Sequence, residues 1–173
     1  MKKAIFGGSF DPPHSGHLQV IQQAIISLNI DKLIVVPAFL NPFKMGNKAP
    51  ANLRLKWLKQ MTADMPLVEV SSFEIDQNRA VASIETVEHF QDEDVTYLII
   101  GADNLQDLCK WKRFQELNKK VTWVVATRDE IAIPKNYIRL EVDEAISATQ
   151  LRASINTAFL DKRVAQDILD FYH

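Results

Sequence analysis

Three short runs constrain this chain more than anything else in it: Lys32–Pro37 (KLIVVP), Val95–Ile100 (VTYLII) and Val121–Thr127 (VTWVVAT). Each is apolar nearly throughout and rich in β-branched or aromatic residues, which suits a strand covered on both faces. Helical patterns separate them. Further strands are predicted at Lys2–Phe6 and Leu67–Val70, with a short edge strand at Ile138–Leu140. Helices are predicted over His17–Leu28, Ala51–Asp64, Ser83–Phe90, Leu105–Lys119 (with a break near Lys112), Thr149–Phe159 and Lys162–Tyr172. In the first of these, Leu18, Ile21, Ile25 and Leu28 share one face. Ala38–Pro50, with Pro42, Gly46 and Pro50, reads as a loop.

Strands alternating with helices require a parallel sheet with right-handed crossovers and helices on both faces. The expected fold class is therefore α/β, a doubly wound, mostly parallel sheet with short C-terminal helices. No repeat, low-complexity tract or linker divides the 173 residues, so residues 1–173 are expected to form a single domain. Ligands of such folds bind beyond the carboxyl ends of the strands, where the strand order reverses.

Composition narrows the partners. The net charge of −2 gives no global basic field for nucleic acid, although Lys44, Lys48, Arg54, Lys56 and Lys59 lie close in sequence. No apolar run approaches the roughly 18 residues of a membrane span, and a cytoplasmic protein is expected. Cys109 is the single cysteine, which excludes an intramolecular disulfide and a cysteine-based zinc site. Placed in a predicted helix, it is expected to be a small buried hydrophobe.

The chemistry is concentrated in Ile5–Leu18, IFGGSFDPPHSGHL, between the first strand and the first helix. Gly7 and Gly8 would let the backbone turn sharply and let a ligand approach closely. Pro12 and Pro13 stiffen the approach to His14 and His17, and Ser15 is the expected N-cap. A helix N-terminus attracts anions, and two imidazoles beside it add donors for phosphate oxygens. Neither a Walker A loop nor a GxGxxG fingerprint is present. Asp11, His14 and His17 could be read as metal ligands, but the prolines break any shared helical face. Phosphate binding is the expectation, with no metal ligands from the chain. A second anion anchor is predicted at Ile146–Arg152, ISATQLR. There Ser147 and Gln150 form a capping box, and Arg152 can lean back over its own helix start.

With IFGGSFDPPHSGHL near its start and ISATQLR near its end, the chain resembles the nucleotidyltransferase superfamily with an (H/T)-x-G-H motif. Within it, the chain resembles the bacterial nicotinate-nucleotide adenylyltransferases, over roughly residues 3–155. Pro42-Phe43-Lys44, Ser83-Ile-Glu-Thr86, Ile100-Gly-Ala-Asp-Asn-Leu105 with Leu108 and Trp111, and Arg128 match in order. Phe43 stands where the family has His, Val81-Ala82 where it has Ser-Tyr, and Glu85 where it has Asp.

The resemblance implies a Rossmann-like nucleotidyltransferase fold. It also implies transfer of the AMP part of ATP to nicotinate mononucleotide, giving deamido-NAD and pyrophosphate, with Mg²⁺ accompanying ATP. In that reading Gly7, Gly8, Ser9 and Phe10 line the ATP site, His17 meets the α-phosphate and His14 the triphosphate. Lys44 contacts phosphates, unless it is a solvated loop lysine. Ser147, Thr149 and Arg152 hold the β- and γ-phosphates. Gly101 and Asp103 face the ribose across the strand reversal, with Asp103 open to a second reading as the N-cap of the following helix. Trp111 stacks on the pyridine ring or is a core tryptophan, and Ser83 and Thr86 belong to the acceptor side. Alternatives are another adenylyltransferase of the same fold, acting on phosphopantetheine or nicotinamide mononucleotide, or a non-catalytic adenine-nucleotide-binding module. A homo-oligomer is left open.

Overall fold

The computed structural model describes residues 1–39, 49–92, 94, 96–128, 130–142 and 157–172. Among them six strands form one sheet: β1 (Lys3–Gly8), β2 (Lys32–Pro37), β3 (Val68–Val70), β4 (Thr96–Gly101), β5 (Thr122–Ala126) and β6 (Ile138–Leu140). Their order is β3-β2-β1-β4-β5-β6, and every pairing is parallel. The doubly wound sheet is thus present, with the order reversing between β1 and β4.

Strand periodicity sorts the core into two layers. Ala4 and Phe6, Leu33 and Val35, Ile99 and Val124 point to one face, where α1 (Ser15–Ser27) lays down Val20, Ile21 and Ala24. Ile5, Ile34 and Val36, Leu98 and Ile100, Trp123 and Val125 point to the other. That second face is covered by α4 (Ser83–Phe90), a 3-10 helix (Ala102–Lys110) and α5 (Phe114–Lys120), through Ile84, Val87, Leu108 and Leu117. A third cluster joins α2 (Ala51–Met61) to the C-terminal helix α6 (Ala165–Tyr172) and the turn before it through Trp57, Met61, Val164 and Ile168.

The register creates a crevice. β1 pairs with β4 only from Lys3↔Thr96 to Phe6↔Ile99, whereas its pairing with β2 continues to Gly8↔Pro37. Beyond Ile99, β4 continues with β5 alone, to Gly101↔Ala126. The two halves of the sheet part company at Gly7–Gly8 on one side and Ile100–Gly101 on the other.

Several boundaries differ from expectation for local reasons. The span Leu105–Lys119 is two pieces, because Trp111 turns extended after Lys110 and Arg113, in a left-handed conformation (φ 52°), is the N-cap from which the second piece starts. The first piece is a 3-10 helix, whose three-residue turn brings Ala102, Leu105 and Leu108 inward and leaves Cys109 outside. Cys109 is consequently exposed and not a core residue. A short helix α3 (Phe73–Asp76) was too brief to show periodicity, and α6 begins at Ala165 after a turn over 162–164. Most of the predicted helix Thr149–Phe159 lies outside the described residues; Thr157–Phe159 is a 3-10 turn. Among the described residues no helix is long and apolar enough to cross a membrane.

Candidate active site

The loop after β1 does not turn at its glycines. Gly7 and Gly8 are still strand, and the reversal comes at Phe10, a non-glycine residue with φ 52°. Gly7 is exposed, and a Cβ there would meet nothing closer than Val36 O at 3.8 Å, so the smallest side chain leaves open backbone at the crevice. Gly8 faces the Phe10 ring, 3.4 Å from where its Cβ would lie. The Phe10 ring is buried edge-on against Phe6 at 5.3 Å and against His17 at 4.8 Å. Its side chain is core and a rest for His17, which leaves only its backbone near a ligand.

The N-cap of α1 is His14, not Ser15. The His14 Nδ1 accepts from the Gly16 N–H at 3.0 Å, and the His17 Nδ1 accepts from the His14 N–H at 3.0 Å. The two rings lie 3.9 Å apart at 32°. This reciprocal cap has a chemical consequence: an Nδ1 that accepts a hydrogen bond carries no proton, so the hydrogen of each neutral ring sits on Nε2. The amides of residues 14 and 16 are thereby taken up by imidazoles, and each imidazole becomes an Nε2–H donor backed by the positive end of the helix. Ser15 has no such role; its Oγ is buried without a hydrogen-bond partner among the described residues. Burial, and then the nearby Arg128 charge, push the His14 pKa down to about 4. At neutral pH it is an uncharged donor with a fixed tautomer.

Across the crevice Asp103 folds back on β4. A Cβ on Gly101 would sit 2.7 Å from its Oδ1, so any side chain there would have to push that carboxylate aside. Gly101 itself is the N-cap of the 3-10 helix and no side chain caps it, which removes the N-cap reading of Asp103. Asp103 is half-exposed and lies 3.5 Å from Arg128 Nη1. Arg128, at the end of β5, therefore faces both Asp103 and His14. Sequence reasoning matched it to the family and gave it no role, since an arginine at a strand end carries no signal of what lies across the crevice.

On the acceptor side, Ser83 opens α4 and is half-buried, but Thr86 is buried and its hydroxyl donates to Glu74 Oε2 at 2.6 Å. The Thr86 hydroxyl is thus engaged with Glu74. Glu74, from the unforeseen helix α3, is buried, and its pKa is pushed up to about 7 by burial, against the stabilising bond from Thr86. Glu85 accepts from the Ala82 N–H at 2.9 Å and from Arg79 Nη2 at 2.7 Å, and the arginine bond first of all holds its pKa down near 2. Trp111 is half-buried, edge-on to Trp123 at 6.2 Å, and its backbone N–H donates to Leu108 O at 3.1 Å. Lys44, Ser147, Thr149 and Arg152 lie outside the described residues. Among the described residues no group of three His, Cys, Asp or Glu gathers as a metal site.

A parallel sheet parted at its reversal point carries paired imidazole donors on one lip and a carboxylate on the other, the place where α/β sheets bind their ligands. The comparisons give the family. The cytidylyltransferase-like family model matches residues 5–154. "Probable nicotinate-nucleotide adenylyltransferase" of Sulfurimonas denitrificans is 51% identical over 98% of this chain and 93% of its own length. The protein of the same name from Campylobacter fetus is 46% identical over 99% and 97%. Among solved structures, Plasmodium falciparum nicotinic acid mononucleotide adenylyltransferase complexed with NaAD superposes with a TM-score of 0.78 at 16% identity, over 99% of this chain and 95% of that one. The chain belongs to the nicotinate-nucleotide adenylyltransferase family.

Proposed function

We infer that this chain joins the AMP part of ATP to nicotinate mononucleotide, releasing pyrophosphate and forming deamido-NAD, a step of NAD biosynthesis. The observation that carries the mechanism is the reciprocal His14–His17 cap at the parting of β1 and β4. The attacking group is a phosphate already ionised at neutral pH, so the site needs no general base. Its work is to place donors where charge develops on the α-phosphate and the departing pyrophosphate. Two Nε2–H donors with fixed tautomers, backed by a helix N-terminus, meet that need without rearrangement. His17 takes the α-phosphate and His14 the adjoining oxygens; Lys44, Ser147, Thr149 and Arg152 are assigned the remaining phosphate contacts on sequence alone.

Gly7 gives ATP an open backbone to lie against, with Gly8 packed on the Phe10 ring beside it, Ser9 and Phe10 supply backbone groups, and Gly101 with Asp103 meets the ribose. Nicotinate enters beside Trp111, whose half-buried indole offers a face for a flat ring. The backbone N–H of Trp111 is committed to Leu108, so the carboxylate falls to the start of α4 at Ser83. Magnesium favours oxygen ligands and keeps several waters. The described lip offers imidazole N–H donors, which suit phosphate oxygens and repel a cation, so the metal would travel on the triphosphate of ATP and neutralise its charge.

A pyrophosphate-release assay with ATP tests this reading, comparing nicotinate mononucleotide, nicotinamide mononucleotide and phosphopantetheine as acceptors. Preferred turnover of nicotinate mononucleotide is the expected result. Preference for another acceptor would move the chain to a sister activity, and ATP binding without turnover of any would make it a binding module.

A further inference from the structure

We propose that Arg54 is a positioning residue for the two histidines, a buried brace that fixes their loop from beneath and shares this task with Asp11 and Tyr172. The proposal rests on the assignment of His14 and His17 to phosphate. Arg54 is fully buried on α2 and makes three hydrogen bonds, all to backbone carbonyls of separate segments. Its Nη1 donates to Ser9 O at 2.6 Å, its Nε to Ala49 O at 3.0 Å and its Nη2 to Phe39 O at 3.3 Å. A planar fork with several fixed donors can satisfy three carbonyls at once; an ammonium cannot reproduce that geometry.

The matching anion is Asp11, also buried, which accepts from the Ala49 N–H at 3.0 Å and from the Tyr172 hydroxyl. The peptide of Ala49 is thus held from both sides, its carbonyl by the cation and its N–H by the anion. Burial lowers the pKa of Arg54 from its ordinary value, and the facing Asp11 carboxylate opposes part of that shift. Tyr172 also brings in α6, whose Asp167 accepts from the Trp57 indole at 2.8 Å on the neighbouring turn of α2.

What the brace positions follows from the loop sequence. Ser9 and Asp11 are the two clamped residues, and between them lies Phe10, with φ 52° and its ring against His17. Pro12 and Pro13 then lead directly into the His14 cap. Loosening either clamp lets Phe10 relax, and His17 loses its rest. Catalysis by placed donors is sensitive to such movement, because misplacement by about 1 Å can cost on the order of 100-fold.

The test uses the full chain and two variants, Arg54→Lys and Tyr172→Phe. Turnover is normalised to ATP-binding sites counted by calorimetry, so that a loss of folded protein does not register. Arg54→Lys should lower kcat per site about 10- to 100-fold, with KM for ATP changed less than about threefold. Tyr172→Phe, which keeps the ring and loses the hydroxyl, should lower it about 3- to 10-fold. NMR titration of His14 without substrates gives a readout that does not depend on which acceptor is used. As its burial loosens, its pKa should climb from about 4 toward the ordinary 6.5 in Arg54→Lys, against the charge of the facing Arg128. An unchanged kcat per site in folded Arg54→Lys overturns the proposal. If that variant does not fold, an unchanged Tyr172→Phe overturns it. If the wild type turns over no acceptor, the functional reading fails and the His14 titration alone decides the brace.

Discussion

The two sides of the crevice use the same physical device to opposite ends. Under the β1–α1 loop, burial favours the neutral form of His14 by pushing its pKa down to about 4; under α4, burial favours the neutral form of Glu74 by pushing its pKa up to about 7. The difference lies in what their neighbours do. On the phosphate side, side chains cap the backbone, and the imidazoles face the ligand in place of the amides. On the acceptor side, side chains occupy one another, Thr86 with Glu74 and Arg79 with Glu85, and the ligand is left a helix start and an indole. In the proposed function, an ionised triphosphate would be met by side-chain donors, and a flat aromatic acid by backbone and ring.

The largest effect should come from the phosphate side. His17→Ala is expected to lower kcat by about 100-fold or more while KM for ATP stays within several-fold, since its contact strengthens as charge develops. Steady-state kinetics with both substrates varied will show the split. A rise in KM with kcat intact would make His17 an ordinary binding residue and erase the contrast between the two sides.

The titrations give the next test. For Glu74, the folded pKa of about 7 exceeds the ordinary 4.5, so the folded chain holds the extra proton between those values. Stability should fall as pH rises from about 4.5 to 7, by on the order of 3 kcal/mol. For His14, the folded pKa of about 4 lies below 6.5, and stability should fall as pH drops through that window. The two slopes oppose each other between about 4.5 and 6.5. Glu74→Gln keeps an acceptor for the Thr86 hydroxyl and removes one slope. Urea unfolding at several pH values should then show the variant gaining on the wild type as pH rises toward 7. Parallel curves would mean that Glu74 is not buried neutral.

How legible each side was in the sequence follows from the same contrast. The sheet was readable because buried parallel strands leave continuous apolar runs, and KLIVVP and Ser83–Phe90 keep their expected bounds. His14 and His17 were readable because their spacing is local. Their roles in the cap were not, since histidine is an uncommon N-cap and Ser15 offered a more ordinary one. The roles of Glu74 and Arg54 were not readable, and Arg54, grouped by sequence with the surface lysines around it, is buried: each acts through a distant partner, Thr86 12 residues away for one and the Ser9 carbonyl 45 residues away for the other. The turn at Phe10 was misplaced onto the glycines because glycine is the default for bends, whereas here packing of an aromatic ring imposes the left-handed conformation.

Trp111→Ala should raise KM for the mononucleotide about tenfold, through loss of stacking of about 1–3 kcal/mol, and leave KM for ATP unaffected. An equal rise for both substrates would place Trp111 in the core alone, beside Trp123, and would leave the acceptor ring without its platform.

The smallest effects test what sets the preference for an acid over an amide. Glu85 sits in the first turn of α4, where its charge would oppose an incoming carboxylate, and Arg79 cancels that charge from 2.7 Å. Lys112 also lowers the Glu85 pKa, but it is the last and weakest of the causes. Arg79→Ala should therefore weaken the preference for nicotinate over nicotinamide mononucleotide, by about two- to fivefold, as befits a solvent-exposed pair. Lys112→Ala should change it less than about twofold, since a more distant exposed charge is screened by salt. The ratio of kcat/KM for the two acceptors, measured at low and high salt, separates these outcomes. If Lys112→Ala abolished the preference while Arg79→Ala and Trp111→Ala left it intact, the acid would be read by a lysine side chain. The two sides of the crevice would then recognise their anions in the same way.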